Sequence, residues 1–299
     1  MLQIAESHGV KIYVNKDNFL SFTNSPYYAH KKLSAIDIYP PRGCREALSP
    51  IEGKTSLIKV LKEDYVIIIK VNEEACIKIL HVKPKLKVGD KVYPGDFIGE
   101  IIWSPFYNFW TDYHAHIEVR PIKDPLRAKG GYELNISPLL SKTKINESFN
   151  RFFRVEEVNK RYILLKNQCA QNFFASSLSI KIFEGCLEGG FFHYGHGALI
   201  TLKTLNFLTF KEGNSTKLTF NSFEAIVDYI KDTYIHFIFE KKPFLINNEK
   251  YKGLSVYIND KFLKLIPIKP GETKIKEGDE ISLPFLNNLI NCFSKLNKT

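Results

Sequence analysis

Apolar and polar residues alternate along Thr111–Arg120, in the first half of the chain. The polar positions of this alternation are His114, His116 and Glu118. Alternate residues of a β-strand project from the same face, so the pattern predicts a strand with one apolar face and one row of titratable side chains.

Further strands are predicted upstream of this segment. Residues 9–23 favour two short strands around a turn at Asn15–Asn18. Ile36-Asp37-Ile38 places a carboxylate opposite two isoleucines, and Tyr65–Val71 is apolar on both faces, as is typical of a central strand. The segment Cys76–Val82 predicts a strand that carries His81 on the same face as its isoleucines.

The segment Lys87–Glu100 contains two Gly-Asp pairs, which predict two turns between short strands. Lys123–Asn150 is polar and interrupted by Gly130-Gly131, which is typical of a linker. We therefore expect two domains, residues 1–140 and residues 151–299.

The second half of the chain shows repeated strand patterns and is predicted to be an all-β, sandwich-like domain. Hairpins are expected around Asn259-Asp260 and within Lys276–Ile281, and a terminal helix is expected over Phe285–Phe293. The strand patterns are Tyr162–Leu165, Leu178–Phe183, Ala198–Leu202, Ile235–Phe239 and Leu254–Ile258. The predicted fold class is mainly β throughout.

Composition narrows the function classes only slightly. The chain has 299 residues, 44% of them hydrophobic and 25% charged, which suits about two ordinary globular domains. The formal net charge of +10 would favour acidic partners such as a polyanion. However, the lysines are dispersed and no recognition-helix or zinc-finger pattern occurs, which argues against a nucleic-acid partner.

Neither a membrane span nor a disulfide framework is expected. The chain has no run of about 18 apolar residues. Its N-terminal residues lack the pattern of a secretion signal, which predicts a cytoplasmic location for the sequence as given. The five cysteines are scattered, without Cys-x-x-Cys, and are interpreted as structural thiols.

Histidines supply the candidate chemistry. His114 and His116 lie on one strand face, where both can bind one metal ion, or one can bind metal while the other transfers protons. A half-exposed strand that happens to contain two histidines is the alternative. His193 and His196 lie in the glycine-rich segment Gly189–Gly197, which we interpret as a structural turn because no third ligand is evident.

Residues of about 26–139 resemble the lysostaphin-type (LytM-like) zinc metallopeptidases. The resemblance rests on an ordered series of motifs: Ile36-Asp37-Ile38, Ala47–Gly53, Tyr65–Lys70, Leu80-His81-Val82, the glycine-aspartate segment before Ile98-Gly99, His114–Arg120 and Asn135–Leu139. It implies a small antiparallel β-sheet domain of the duplicated-hybrid type, with its site in a groove along one face.

The resemblance also implies which residues would act. Asp37, His116 and a further histidine would hold Zn²⁺, while His81 and His114 would act on a zinc-bound water and on the developing oxyanion. The family places its first ligand histidine four residues before the aspartate, where this chain has Leu33. The nearest candidate is His30, which would need a loop or bulge to reach the metal from the other strand face.

Two functions follow as expectations. The first is a zinc metallo-endopeptidase that hydrolyses peptide bonds, with peptide or peptidoglycan-like cell-envelope cross-links as the substrate that the family implies. The family acts mostly outside the cell. The second is a catalytically degenerate relative that serves as a binding or scaffold module, which Leu33 and the missing secretion signal favour. A polyanion-binding role is a third, weaker alternative.

Overall fold

The computed structural model describes residues 1–141, 152–167, 179–180, 185–201, 217–220, 223–231, 233–283 and 286. Of the residues that the structure describes, 52% lie in strands and 4% in helices, and the strands pair in antiparallel sheets, which confirms the mainly β prediction. No helix within the described ranges has the length and apolar character needed to cross a membrane.

The chain divides into two compact units. The first comprises Met1–Phe22 with Pro26–Lys142, and the second comprises Thr23–Ser25 with Thr143–Thr299. The second unit therefore includes three residues from the N-terminal part of the chain. The predicted histidine site lies wholly within the first unit.

The first unit is built from short strands and two four-residue helices. The strands are β1 (Leu2–Ser7), β2 (Val10–Val14), β3 (Phe19–Ser21), β4 (Ala35–Tyr39), β5 (Glu46–Leu48), β6 (Gly53–Leu61), β7 (Asp64–Lys70), β8 (Ala75–Leu80), β9 (Val82–Pro84), β10 (Lys91–Val92), β11 (Phe97–Ile101) and β12 (Ala115–Pro121); the helices are α1 (Tyr28–Lys31) and α2 (Ser137–Leu140).

A seven-stranded antiparallel sheet in the order β10-β6-β7-β8-β12-β4-β3 carries the site. On one face, Ile117 of β12 pairs with Ile36 of β4 and with Ile79 of β8, and all three are buried. This isoleucine row continues to Ile67 of β7, which pairs with Ile79. Because neighbouring residues point the other way, the opposite face receives Asp37 and the polar residues of β12.

Smaller elements complete the first unit. Strands β5, β11 and β9 form a three-stranded sheet, and β1 pairs with β2 as a hairpin. The predicted turns in Lys87–Glu100 are present, with Gly89 and Gly95 at φ +102° and +98°, a conformation that glycine adopts at little cost. The bridge between Glu6 and Asn135 ties the end of this unit to its first strand.

One prediction for the first unit is wrong. His81 does not share a strand face with Ile77 and Ile79, because β8 ends at Leu80 and His81 has φ +68°. A left-handed backbone is uncommon for residues other than glycine, and it redirects the chain between β8 and β9. The alternation of β8 therefore does not determine the direction of the imidazole.

The described strands of the second unit form an antiparallel sheet in the order β18-β19-β20-β17-β16-β22-β23-β14-β13-β24, with β15 paired to β16 and β21 to β22. Its strands are β13 (Phe152–Val158), β14 (Ile163–Asn167), β15 (Ser179–Ile180), β16 (Gly185–Phe191), β17 (His196–Thr201), β18 (Lys217–Phe220), β19 (Phe223–Lys231), β20 (Tyr234–Phe239), β21 (Phe244–Ile246), β22 (Glu249–Val256), β23 (Phe262–Pro267) and β24 (Glu280–Ser282). Large apolar side chains from many of these strands pack together in a buried core.

Two hairpins were predicted for the second unit. The hairpin at Asn259-Asp260 is present, since β22 pairs with β23 and Asn259 has φ +61°. The one within Lys276–Ile281 is wrong, because β24 pairs with the distant strand β13 instead of with its neighbour. The predicted helix over Phe285–Phe293, except for Leu286, and most of Leu178–Phe183 lie outside the described residues.

The isoleucine row is expected to contribute to the stability of the first unit. We expect Ile79→Ala, which truncates a fully buried side chain, to lower the free energy of unfolding by about 2–5 kcal/mol. Val60→Ala, at a position that is 59% exposed, serves as the control and should change it by less than about 0.5 kcal/mol. Both tryptophans, Trp103 and Trp110, lie in the first unit, so their fluorescence during urea unfolding reports on this unit. Equal effects of the two substitutions would contradict the proposed core.

Candidate metal centre

Three potential metal ligands converge on the polar face of the seven-stranded sheet. Ligand atoms of His30, Asp37 and His116 lie within 4.8 Å of one another, and all three residues are buried. Asp37 Oδ1 is 2.9 Å from His116 Nδ1 and 3.2 Å from His30 Nε2, and the two nitrogens are 3.1 Å apart. These are the three candidate ligands that the sequence predicts, and the fold brings them together.

The outer contacts of the two imidazoles fix their tautomers. His30 Nδ1 lies 2.8 Å from the carbonyl oxygen of Phe22, which can only accept a hydrogen bond. His116 Nε2 lies 3.1 Å from Glu118 Oε1, and this carboxylate also accepts. Each outer nitrogen therefore donates its hydrogen, so in the neutral rings the lone pairs of His30 Nε2 and His116 Nδ1 face Asp37. Three acceptors meeting without a donor need a cation or a proton between them.

The chain brings His30 to Asp37 by a local rearrangement upstream of β4. His30 lies in the short helix α1, and Leu33 follows in the left-handed conformation with φ +48°. The Ser34 amide then donates to the Ala29 carbonyl, which closes the turn. A helix and a turn thus replace the strand that would have put a residue seven positions before Asp37 on the opposite face. Leu33 itself is a buried core residue.

A buried ionic network supports His116 from the side away from Asp37. Glu118 accepts from Lys78 Nζ at 2.6 Å and from Arg120 Nη1 at 3.2 Å, and it faces His116 Nε2. Burial alone would raise the pKa of Glu118, but its bonds to His116 and Lys78 lower that pKa to about 2. Glu118 is therefore ionised at neutral pH. A carboxylate behind a ligating histidine is the usual means of holding such a ring in orientation.

His114 lies beside the three candidate ligands. Its Nδ1 is 2.9 Å from the carbonyl oxygen of Asp112, so Nδ1 carries the hydrogen, and its Nε2 is 3.5 Å from Asp37 Oδ2. Burial lowers the pKa of His114 to about 4, although Asp37 partly opposes this effect. The imidazole is therefore neutral at pH 7, with a lone pair on the nitrogen that faces the cluster.

His81 faces His114 and is held from behind by Asp64. The two imidazole centroids are 5.3 Å apart, and His81 Nδ1 lies 2.6 Å from Asp64 Oδ2. Ser104 Oγ donates to the same carboxylate oxygen at 2.6 Å, and the His81 amide donates to Asp64 Oδ1 at 3.1 Å. Burial would raise the pKa of Asp64, but its bonds to His81 and Ser104 lower it. The carboxylate is ionised and orients the ring, which leaves His81 Nε2 for other partners.

An aromatic loop covers one side of the two non-ligand histidines. The Tyr107 ring stacks on His114 at 4.7 Å and its hydroxyl donates to the His114 carbonyl at 3.0 Å. Trp103 packs edge-on against Tyr107 at 5.4 Å and against Tyr113 at 5.7 Å. Burial and the charge of Asp37 raise the pKa of Tyr107 well above its ordinary value. The loop therefore adds neutral aromatic groups at the edge of the site.

Charge at the centre of the cluster is shared between Asp37 and His116. Burial disfavours the charged form of both groups. Contacts with His114, His30 and His116 nevertheless hold the pKa of Asp37 well below its ordinary range. The bonds to Asp37 and Glu118 raise the pKa of His116 to about 9. In the absence of a metal ion, a proton on His116 Nδ1 thus fills the space between the acceptors.

Histidines of the second unit form no comparable group of ligands among the described residues. His196 Nδ1 lies 3.2 Å from His236 Nε2, and its Nε2 contacts the Ser25 carbonyl at 2.7 Å. His236 Nδ1 faces Asp228, and His193 Nδ1 faces the Phe191 carbonyl. The segment Gly189–Gly197 is the end of the β16–β17 hairpin, as the structural interpretation predicted.

The sequence named the five residues at the centre of the site but not those behind them. Asp64, Ser104 and Lys78 were not among the predicted site residues. No pattern near Asp64 links it to His81, which lies 17 residues later, or to Ser104, which lies 40 residues later. Glu118 was visible as part of the polar row of β12, but the row alone did not indicate its role behind His116.

The cluster predicts one metal site per chain. We expect purified protein to contain about one Zn²⁺, and Asp37→Ala, His116→Ala and His30→Ala each to lose it, since each removes one of three protein ligands. His8→Ala removes an exposed histidine of the same unit, stacked on Tyr132, and should leave the zinc content unchanged. Elemental analysis measures the content. Zinc retained only in His30→Ala would identify a different third ligand, and none in reconstituted wild type would exclude the site.

The raised pKa of His116 predicts proton release upon metal binding. At pH 7 the group carries a proton, because its pKa is about 9, and a metal ion must displace that proton from Nδ1. The apparent zinc affinity should therefore rise with pH until about pH 9, and binding at pH 7 should release about one proton. Calorimetric titrations in buffers of different ionisation enthalpy measure this number. An affinity independent of pH between about 6 and 8 would contradict the assignment.

Comparison with known proteins finds a similarity for part of the first unit. Residues 10–136 match the family described as Domain of unknown function (DUF8155) N-terminal domain. The matched segment contains His30, Asp37, His81, His114 and His116. No curated protein matches the chain, and no peptidase family is matched. The similarity is therefore to a domain with no assigned activity, and the inference of function rests on the geometry of the site.

Proposed function

We propose that the first unit is a zinc-dependent hydrolase, a metallo-endopeptidase that cleaves peptide amide bonds. The observation that carries this proposal is the arrangement of lone pairs around Asp37. Two imidazole nitrogens and one carboxylate oxygen face a common point, and the hydrogens of both rings are committed to outer acceptors.

The chemistry of this ligand set suits Zn²⁺. Zinc in catalytic sites is bound by three protein ligands, drawn from imidazole and carboxylate groups, with a further position left open. At zinc–ligand distances near 2.0–2.1 Å, tetrahedral ligands lie roughly 3.3 Å from one another. The separations of 2.9, 3.1 and 3.2 Å around Asp37 are close to this value. Bound zinc acts as a Lewis acid that polarises a carbonyl group and makes water more acidic.

His114 is suited to act as the general base. It is neutral at pH 7, its Nδ1 hydrogen is held by the Asp112 carbonyl, and its Nε2 lone pair faces the cluster. It can therefore accept a proton from an attacking water at Nε2. The tight packing of Tyr107 on the ring keeps this nitrogen in place.

His81 is suited to stabilise negative charge that develops on the carbonyl oxygen of the substrate. Asp64 accepts the Nδ1 hydrogen and would stabilise the protonated ring, which would then donate from Nε2. The arrangement of carboxylate, imidazole and reacting group is one that hydrolases use repeatedly. Asp64 acts here as a positioning residue through His81.

The substrate class follows from the resemblance to lysostaphin-type peptidases, whose substrates are peptide cross-links of the cell envelope. Exposed rings in the first unit support an extended substrate. Trp103 and Phe106 are both more than two-fifths exposed, and Trp103 contacts the Tyr107 ring that covers His114. Aromatic faces of this kind pack well against peptide planes and sugar rings.

A binding or scaffold module is the second candidate, and one observation favours it. The loop Trp103–Trp110 places Tyr107 directly on His114 and near His81, and both histidines are buried. A loop that limits access to the two histidines suits a protein that retains the fold and the metal but not the reaction. The two candidates differ in whether the zinc-loaded protein hydrolyses amides.

Catalysis by the two non-ligand histidines is directly testable. In zinc-loaded protein, His114→Gln and His81→Gln should each lower kcat by roughly 10²–10⁴-fold while the zinc content stays the same, because the first removes the general base and the second removes the group that stabilises the developing oxyanion. Asp64→Asn should lower kcat with little change in KM, since Asp64 acts on the reaction only through His81. His8→Ala is the matched control and should retain full activity. Rates are measured on a panel of peptides that includes branched envelope cross-links.

The outcomes of this experiment separate the candidates. Loss of activity in His114→Gln and His81→Gln with zinc retained supports the peptidase. Zinc-loaded wild-type protein that cleaves no peptide in the panel, but binds one of them, supports the binding module. Full activity in both histidine variants would exclude the proposed mechanism.

A further inference from the structure

A row of three lysines crosses one edge of the seven-stranded sheet. Lys54 of β6 pairs with Lys70 of β7 on one side and with Lys91 of β10 on the other. Directly opposite residues of antiparallel strands project from the same face, with Cβ atoms about 4.5–5.5 Å apart. Like charges in such positions destabilise a sheet, so this lysine row has an energetic cost that other interactions must offset.

Only part of this charge is neutralised within the first unit. Lys70 Nζ forms an ion pair with Glu73 at 2.7 Å, but both side chains are substantially exposed, so the pair is weak. Within the ranges that the structure describes, Lys54 and Lys91 have no carboxylate at ion-pair distance. Two adjacent ammonium groups in the row are therefore left without a fixed counterion.

The lysine row lines a cavity of about 510 Å³ next to the β1–β2 hairpin. Lys11 of β2 adds a fourth ammonium group to the lining, and Glu52 and Glu73 are the two carboxylates there. The lining thus has an excess of two positive charges. Its volume lies within the range of about 300–1,000 Å³ that is usual for small-molecule sites.

We propose that this cavity binds a small ligand that carries two or more phosphate groups. A lysine ammonium group binds phosphate as a compact charge, and its flexible side chain lets it approach the phosphate oxygens. Neighbouring strands are about 4.8 Å apart, so the row spreads its charges over roughly 10 Å, which suits linked phosphates better than a single anion. A bound oligophosphate would relieve the repulsion that the pairing of Lys54 with its neighbours creates.

This site is independent of the proposed peptidase. The lysine row lies on β10, β6 and β7, whereas Asp37 and His116 lie on β4 and β12 toward the other edge of the same sheet. None of the candidate metal ligands or their supporting residues lines the cavity. Failure of either proposal leaves the other unchanged.

The test compares two charge-matched double variants of the full chain. Lys54→Gln/Lys91→Gln removes the two unpaired ammonium groups, and Lys83→Gln/Lys85→Gln removes two exposed lysines outside the cavity. Inorganic tripolyphosphate is titrated by calorimetry at constant ionic strength. We expect wild type to bind about one molecule, the cavity variant to bind about tenfold or more weakly, and the control to change by less than about twofold, since only close charges are weakly screened. Asp37→Ala, which disables the metal centre, should bind as wild type does.

Thermal unfolding provides a second readout. Without ligand, the cavity variant should melt at a temperature equal to or above that of wild type, because the repulsion is removed. Tripolyphosphate should raise the melting temperature of wild type and of the control, but not of the cavity variant. Equal loss of binding in both double variants would overturn the proposal in favour of a general charge effect. Orthophosphate or citrate binding as tightly as tripolyphosphate would overturn it in favour of an adventitious ion only.

Discussion

The register between β4 and β12 is the constraint on which the candidate site depends. Asp37 is directly opposite His116 in this pairing, so carboxylate and imidazole emerge side by side from the polar face. A shift of one residue in either strand would turn its ligand toward the isoleucine row and put an apolar side chain in its place. The core therefore does more than stabilise the sheet. By requiring Ile36 and Ile117 on one face, it forces the ligands onto the other.

The outer partners orient the rings of this candidate metal site. The Phe22 carbonyl and Glu118 each accept a hydrogen bond from the outer nitrogen of one ring, so the inner nitrogens are left to bind a cation or, at His116, a proton. Lys78 and Arg120 donate hydrogen bonds to Glu118, and all three groups are buried. A buried ion network of this kind is costly unless every member is paired, which it is here. Its contribution is to the orientation of His116 more than to the stability of the sheet.

Much of this arrangement could be predicted from local patterns. Alternation with a period of two placed His114, His116 and Glu118 on one strand face. The same alternation placed Asp37 on the face opposite its two neighbouring isoleucines. His30 was identified as a candidate, but its position depends on the left-handed backbone at Leu33, which no alternation indicates. Residue identity also gave no sign that His81 is left-handed, because such conformations are set by packing around the residue as much as by its type.

The partners of His81 that are distant in sequence could not be predicted, for a different reason. Asp64 and Ser104 meet at His81 because three separate segments end at the same place, and this depends on strand order. The same holds for β24, which bonds to β13 across more than a hundred residues instead of forming a local hairpin. Strand patterns predict that an edge will be paired, but the choice among distant edges depends on the whole sheet.

The outer hydrogen bonds make the two candidate ligand histidines chemically unlike. His30 presents Nε2, the far nitrogen of its ring, whereas His116 presents Nδ1, the near one. The side-chain amide of glutamine reaches about as far as Nε2, and that of asparagine about as far as Nδ1. Glutamine is therefore the closer isostere at position 30, and asparagine at position 116. These two replacements would keep an acceptor atom at each ligand position but would exchange nitrogen for oxygen. Because oxygen ligands suit harder cations, the replacements would also change the kind of cation that the site prefers.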